Sequence, residues 1–342
     1  MKKLFAVILT TAMLFTAFAA HAKTEADRSD SVHLEGYVIG DFYGNETSRW
    51  IGFDDVNPSE FESYSFSLST YGAAYHDGYV YGYIYGYDEG GVLHDEYYSI
   101  NVSNHIVNYV DGASSDGEFV YGMAYNYADD TMYALCNEDH PYIASVDLKT
   151  GVLTKKTDIN LGGLLGVQTL AIDGEGSFYL LSFSAVNSRL VKLDIENGNL
   201  SNVFETGMPC FYGQSMTWDP QTNRIYWAHV NERTSSTNGL YYFDLSSNDI
   251  VYCGMIGNGM EIMGLYSTSK YEAPDSYMLG DVNNDGSVAM SDALLALRAT
   301  LGTAELDELA SQAADIDGNG VVSMDDALSI IRYAMGLSDT LR

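Results

Sequence analysis

Cysteine, proline and basic residues are scarce in this chain. Its 342 residues include 3 cysteines, 5 prolines and 16 lysines and arginines. The cysteines, Cys136, Cys210 and Cys253, are too few and too far apart for a zinc site, a redox pair or a disulfide scaffold. They are expected as isolated buried thiols, with a Cys210–Cys253 bridge as the alternative. So few prolines exclude a proline-rich stalk. The 16 bases face 47 acids, a formal net charge of −31. Such a chain repels phosphate backbones and anionic lipid, so neither nucleic acid nor a membrane surface is an expected partner. Long apolar runs are lacking as well, save one. Lys2 and Lys3 precede an apolar stretch from Leu4 to Ala19, and Ala20-His21-Ala22 is a small-x-small cleavage signal. Residues 1–22 are therefore expected to be a signal peptide and 23–33 a short lead, with a secreted product and no membrane span.

Familiar catalytic signatures are missing too. Gly213 to Thr217 begins like a nucleophile elbow but lacks its closing glycine. There is no His-Glu-x-x-His, no phosphate-binding loop and no dinucleotide fingerprint. The seven histidines show no ligand spacing.

What the chain does have is an apolar fraction of 46% with 28 tyrosines, enough for a packed fold despite the charge, and a duplicated acidic motif near its end. Asp281, Asn283, Asp285, Gly286, Ser287 and Asp292 recur 34 residues later as Asp315, Asp317, Asn319, Gly320, Val321 and Asp326. Oxygen donors occupy loop positions one, three, five and twelve, glycine the sixth, and the seventh offers its backbone carbonyl. This is the spacing that wraps a chain around a calcium ion. An amphipathic helix is expected after each loop, from Ala293 to Leu301 and from Ala327 to Met335, and no helix is evident before Asp281. The repeat continues through Arg298 with Arg332 and Gly302 with Gly336.

This tandem resembles a type I dockerin, the calcium-binding module of cellulosomal proteins, over residues 279–338. The resemblance implies two calcium ions, held by Asp281, Asn283, Asp285, Ser287 and Asp292 and by Asp315, Asp317, Asn319, Val321 and Asp326. It implies a cohesin domain of a scaffold protein as partner, contacted through Met290, Ser291, Leu297 and Arg298 or through Met324, Asp325, Ile331 and Arg332. Leu297 and Ile331 equally suit a core between the two helices.

Residues 34–268 read differently. Short Tyr-, Val-, Ile- and Phe-rich runs alternate with Asp/Asn/Gly turns, an all-β pattern. Strands ending at Asp54, Asn101, Asp147, Asp194 and Asp244 recur at spacings of 47, 46, 47 and 50. A second anchor, a small residue within a strand, recurs at Ala74, Ala124, Ala171, Thr217 and Gly264. A four-strand unit of this length is a propeller blade, and the repeats resemble YVTN- and WD40-like propeller repeats. The first repeat lacks a small-residue strand and the last such strand has no blade after it. Pairing the two predicts a five-bladed β-propeller closed by strands from both ends, followed by a linker at 269–278. The fold class is thus mainly β with a small α module.

Three residues before each small-residue anchor stand Tyr71, Tyr121, Gln168, Gln214 and Glu261. In register, they form a ring at one mouth of the channel, where aromatic faces and amides suit a sugar. They also suit ordinary positions at the start of a strand. Loops between second and third strands would flank that mouth with Tyr87, Asp88, His94, Asn137, Glu138, His140, His229, Asn231, Glu232 and Arg233, most of them solvated. The expected function is a secreted cellulosome-type component. Its propeller recognises plant polysaccharide or a protein; alternatively it is a glycoside hydrolase, or a non-catalytic structural platform. Glu261 is the only acid in the ring, which counts against the hydrolase.

Overall fold

The computed structural model describes residues 31–40, 48–64, 68–87, 93–110, 118–210, 212–231, 236–247, 249–271, 278–338 and 340–341. The expected signal peptide lies outside them. The chain divides into two compact units, Met1–Tyr271 and Glu272–Arg342.

The first unit is a five-bladed β-propeller. Blade one takes its outer three strands from β1 (His33–Gly40), β2 (Arg49–Asp54) and β3 (Phe61–Ser63). Blade two is β4 (Ala73–His76), β5 (Tyr79–Tyr87), β6 (Leu93–Asn101) and β7 (Ile106–Tyr109). Blade three is β8 (Val120–Asn126), β9 (Thr131–Cys136), β10 (Tyr142–Val146) and β11 (Leu153–Asp158). Blade four is β12 (Val167–Ile172), β13 (Phe178–Ser182), β14 (Arg189–Leu193) and β15 (Leu200–Glu205). Blade five is β16 (Ser215–Asp219), β17 (Arg224–His229), β18 (Gly239–Asp244) and β19 (Asp249–Gly254). The final strand, β20 (Glu261–Ser267), pairs antiparallel with β1 and completes blade one as its innermost strand. Ring closure by strands from both ends is as the repeat phases predicted. It shields the inner edge of blade one among the other inner strands.

Side chains alternate between the two faces of each blade, and every face meets a neighbour. In β5, Tyr81, Tyr83 and Tyr85 pack toward blade three while Val80 and Ile84 pack toward blade one. Five hydrophobic clusters result, one per blade interface, so the ring's core is five slabs rather than a central mass. The inner strands crowd one another around the axis. A Cβ on Gly72 would lie 2.7 Å from the backbone nitrogen of Gly122. The aspartates and asparagines closing the third strands are turn formers: Asp147 accepts the backbone N–H of Lys149 and Thr150, and Asp244 those of Ser246 and Ser247.

Polar groups pin the closing seam. Buried Glu35 on β1 accepts hydroxyl bonds from Tyr266 on β20 and from Tyr64. Ser267 donates to buried Asp219 of blade five at 2.6 Å. Tyr226 donates to Asp55 at 2.7 Å. Past β20, Tyr271 stacks on Tyr127 with ring centroids 4.1 Å apart and lies beside Trp218. These rings cap the C-terminal ends of the inner strands, beside a void of only about 30 Å³.

The second unit has helices α1 (Met290–Thr300), α2 (Glu308–Ala314) and α3 (Met324–Ala334). Both loop helices begin three residues before their expected starts. The Asp292 carboxylate accepts the backbone N–H of Ala289, and Asp326 that of Ser323, so the last loop residue also caps the first turn. The short α2 was not foreseen; Asp307 caps it by accepting the N–H of Ala310. Val282, Ala293, Ala296, Ala314, Ile316, Ala327 and Ile330 form its core. Cys136 and Cys210 are buried thiols whose pKa burial pushes up to about 12. Cys253, expected to be buried as well, is only half-buried, and no disulfide joins it to Cys210.

Candidate functional site

Each acidic loop is folded by its own carboxylates. Asp281 accepts the backbone N–H of Asp285 (3.1 Å) and Gly286 (2.8 Å), and Asp315 those of Asn319 (3.1 Å) and Gly320 (2.7 Å). Asn283 and Asp317 each accept an N–H two residues on. Gly286 and Gly320 adopt φ of 87° and 83°, which explains glycine at the sixth position. Burial pushes the Asp326 carboxyl up, but hydrogen bonds from Ser323, Asp317 and Ile316 outweigh it and hold it below the usual carboxylate range.

The donor set fits calcium. One oxygen each from Asp315, Asp317 and Asp326 lies within 4.8 Å of the others. Ligands on opposite sides of one calcium ion sit about 5 Å apart, twice a bond of roughly 2.4 Å. In the first loop Asp281 and Asp292 are buried as Asp326 is, with Asn283 at the position of Asp317. Asp285 and Ser287, like Asn319 and Val321, occupy the fifth and seventh positions of exposed loop.

The helices place the expected cohesin contacts unevenly. Met290, Ser291 and Arg298 are exposed on α1, and Met324, Asp325 and Arg332 on α3. Leu297 and Ile331 are half-buried against the module's core, so each lies between surface and interior. Leu294 and Leu328 were not singled out, yet they lie exposed on the same two stripes. Their signal was a leucine four residues after each methionine, on helices whose buried face is largely alanine.

In the propeller, the structure brings Tyr71, Tyr121, Gln168, Gln214 and Glu261 together around one cavity of about 400 Å³ at the N-terminal ends of the inner strands. They are not equivalent. Gln214 is buried; its amide donates to the carbonyls of Val230 and Tyr212 and accepts from the Trp227 indole, so it braces the blade. Gln168 accepts from the Cys210 thiol. Tyr121 is buried as a wall, and its hydroxyl has no hydrogen-bond partner among the described residues. Tyr71 is 41% exposed and packs edge-on against Phe119. Glu261 accepts the Gly213 N–H at 2.7 Å, and burial raises its carboxyl.

Of the flanking loop residues, Glu138 also lines this cavity, and burial raises its carboxyl too. Tyr212, which sequence reasoning missed, joins it and is 40% exposed. His229 does not flank the mouth. It is buried, with its ring nitrogens 2.9 Å from the carbonyls of Pro209 and Thr237, and burial lowers its pKa. Asp88, Glu232, Arg233 and the side chains of Tyr87 and His94 lie outside the described residues.

Residues 279–334 match the family of the dockerin type I domain. Domains of this family bind calcium and cohesin and occur in secreted cellulosome components. No curated protein matches the chain. Among solved structures, it is similar to a protein of unknown function from Bacteroides thetaiotaomicron VPI-5482, at 13% identity and TM-score 0.42, covering 60% of this chain and 52% of that one. The chain thus spans about half the length of that relative. It is also similar to an α-L-arabinofuranosidase from Clostridium thermocellum ATCC 27405, at 14% identity and TM-score 0.36, covering 61% and 74%. The allergen Mala s 1 of Malassezia sympodialis matches at 15% identity and TM-score 0.34, covering 54% and 62%. At these scores the likenesses carry no argument about activity. No helix among the described residues is long and apolar enough to cross a membrane.

Proposed function

We propose that this protein is a secreted component of a cellulosome-type assembly. Residues 279–338 hold two calcium ions and clip the chain to a cohesin-bearing scaffold, while the propeller, over 34–268, recognises polysaccharide at its cavity. The observation that carries this is the duplicated acidic loop within the segment that matches the dockerin family, the second copy bringing oxygens of Asp315, Asp317 and Asp326 within 4.8 Å of one another. Bound calcium would neutralise carboxylates that otherwise repel one another, and would lock each loop to the helix that follows. The exposed stripes along α1 and α3 then stand rigid for a partner.

For the propeller, a concave cavity with two exposed tyrosine rings and a carboxyl oriented by Gly213 supports saccharide recognition. One observation favours hydrolysis as a second reading: Glu138 joins Glu261 in the lining, supplying the second carboxyl that glycoside cleavage requires.

The test is capture of the full chain on an immobilised type I cohesin. Capture is expected with calcium and lost in chelator or in an Asp281→Ala, Asp315→Ala variant; capture undiminished in chelator would refute the assignment. Incubating the captured protein with plant polysaccharides then separates the two readings, because only the hydrolase releases reducing ends.

A further inference from the structure

We infer that the propeller cavity takes an uncharged saccharide and rejects uronic acids and other anionic glycans. This rests on the saccharide-binding reading above and deepens it. The charged groups lining the cavity are Glu138 and Glu261; no lysine, arginine or histidine lines it among the described residues. A uronate carboxylate seated there would face two carboxyls without a counter-ion. Like charges held a few ångströms apart in a partly dry space repel strongly, and recognition of an anion calls for the opposite lining.

A neutral sugar meets no such penalty. Glu261 has one oxygen held by Gly213, which fixes the carboxyl in place; no other protein donor reaches that carboxyl among the described residues, so it can accept sugar hydroxyls. The close fit behind it is built in, since a Cβ on Gly213 would lie 2.7 Å from Glu261 Oε1. Tyr71 and Tyr212 supply exposed apolar faces against which a pyranose or furanose ring packs. At about 400 Å³ the cavity is small for a ligand site, so it suits a chain end or a short stretch of glycan.

Calorimetric titration of the full chain at pH 7.5 tests this, with xylohexaose as the neutral probe and the galacturonic acid hexamer as the anionic one. The neutral hexamer is expected to bind at least about tenfold more tightly. Glu261→Gln should move the two affinities in opposite directions: weaker for xylohexaose by roughly threefold to tenfold, because a charged acceptor becomes neutral, and stronger for the galacturonate hexamer by about tenfold. Damage to the fold would weaken both. Glu138→Gln, on an exposed loop, should also strengthen galacturonate binding and serves if the first variant is unstable. Equal binding of both probes by the unmodified chain overturns the inference but keeps saccharide binding, as does a galacturonate affinity that neither variant raises. Silence toward xylo-, arabino-, gluco- and manno-hexamers alike overturns the saccharide reading and this inference with it.

Discussion

At the scale of single residues, neighbours decide what a side chain can do. Gln214 and Glu261 stand at equivalent positions where successive inner strands begin, yet Gln214 is bonded on every side while Glu261 keeps part of its carboxyl for the cavity. Their common offset from the anchors was legible in sequence; this difference was not, because it depends on Trp227 reaching across from the next strand. Gly264 shows the reverse case, in which crowding inferred from repeat position has a direct structural counterpart. Its φ is +57°, and an added Cβ would lie 2.9 Å from Thr70 Cγ2 and 3.0 Å from the Ala73 Cβ. Gly264→Ala is expected to destabilise the propeller by about 1–3 kcal/mol. Chemical denaturation checks this; an unchanged midpoint would mean the inner strands have room to yield.

At the scale of elements, the seam between β20 and β1 joins the two ends of a 235-residue span, 33 to 267, and its stability governs the ring. The phases of the two repeats announced the strand pairing. The polar pins did not show in sequence, because Glu35, Tyr64 and Tyr266 come from three distant segments. His33 adds a pH dependence. Glu35 and, 2.9 Å away, Asp54 raise the His33 imidazole from 6.5 to about 9, against the opposing effect of burial. A raised folded-state pKa stabilises the protein fully below about pH 6.5, and that contribution fades as pH climbs through 9. The 40% exposure of the His33 side chain keeps the effect modest. Thermal melts of the protein and of His33→Gln should differ most near pH 6 and converge near pH 10. A gap that stays constant across that range would rule out the ion pairs as its source.

At the scale of the whole molecule, two units of opposite character share one chain. The propeller holds itself together with five hydrophobic slabs. The C-terminal unit has a small, alanine-rich core and six loop aspartates at the proposed calcium-ligand positions, so bound metal should supply much of its folding free energy. Calorimetry in chelator should abolish the transition of that unit and leave the ring's transition in place. A single transition that ignores chelator would show that the tail folds without metal.

Sequence alone determined the duplicated loops, the blade count and the way the ring closes. Each of these is written in spacing: oxygen donors at fixed offsets, small residues every blade length, complementary fragments at the two ends. Only the tertiary structure decided which ring residues face the cavity unencumbered, that Glu138 comes to stand in the same lining as Glu261, and that His229 is a brace rather than part of the mouth. Those outcomes arise where side chains from different blades converge, and such convergence is set by packing between segments far apart in the chain rather than by any local period.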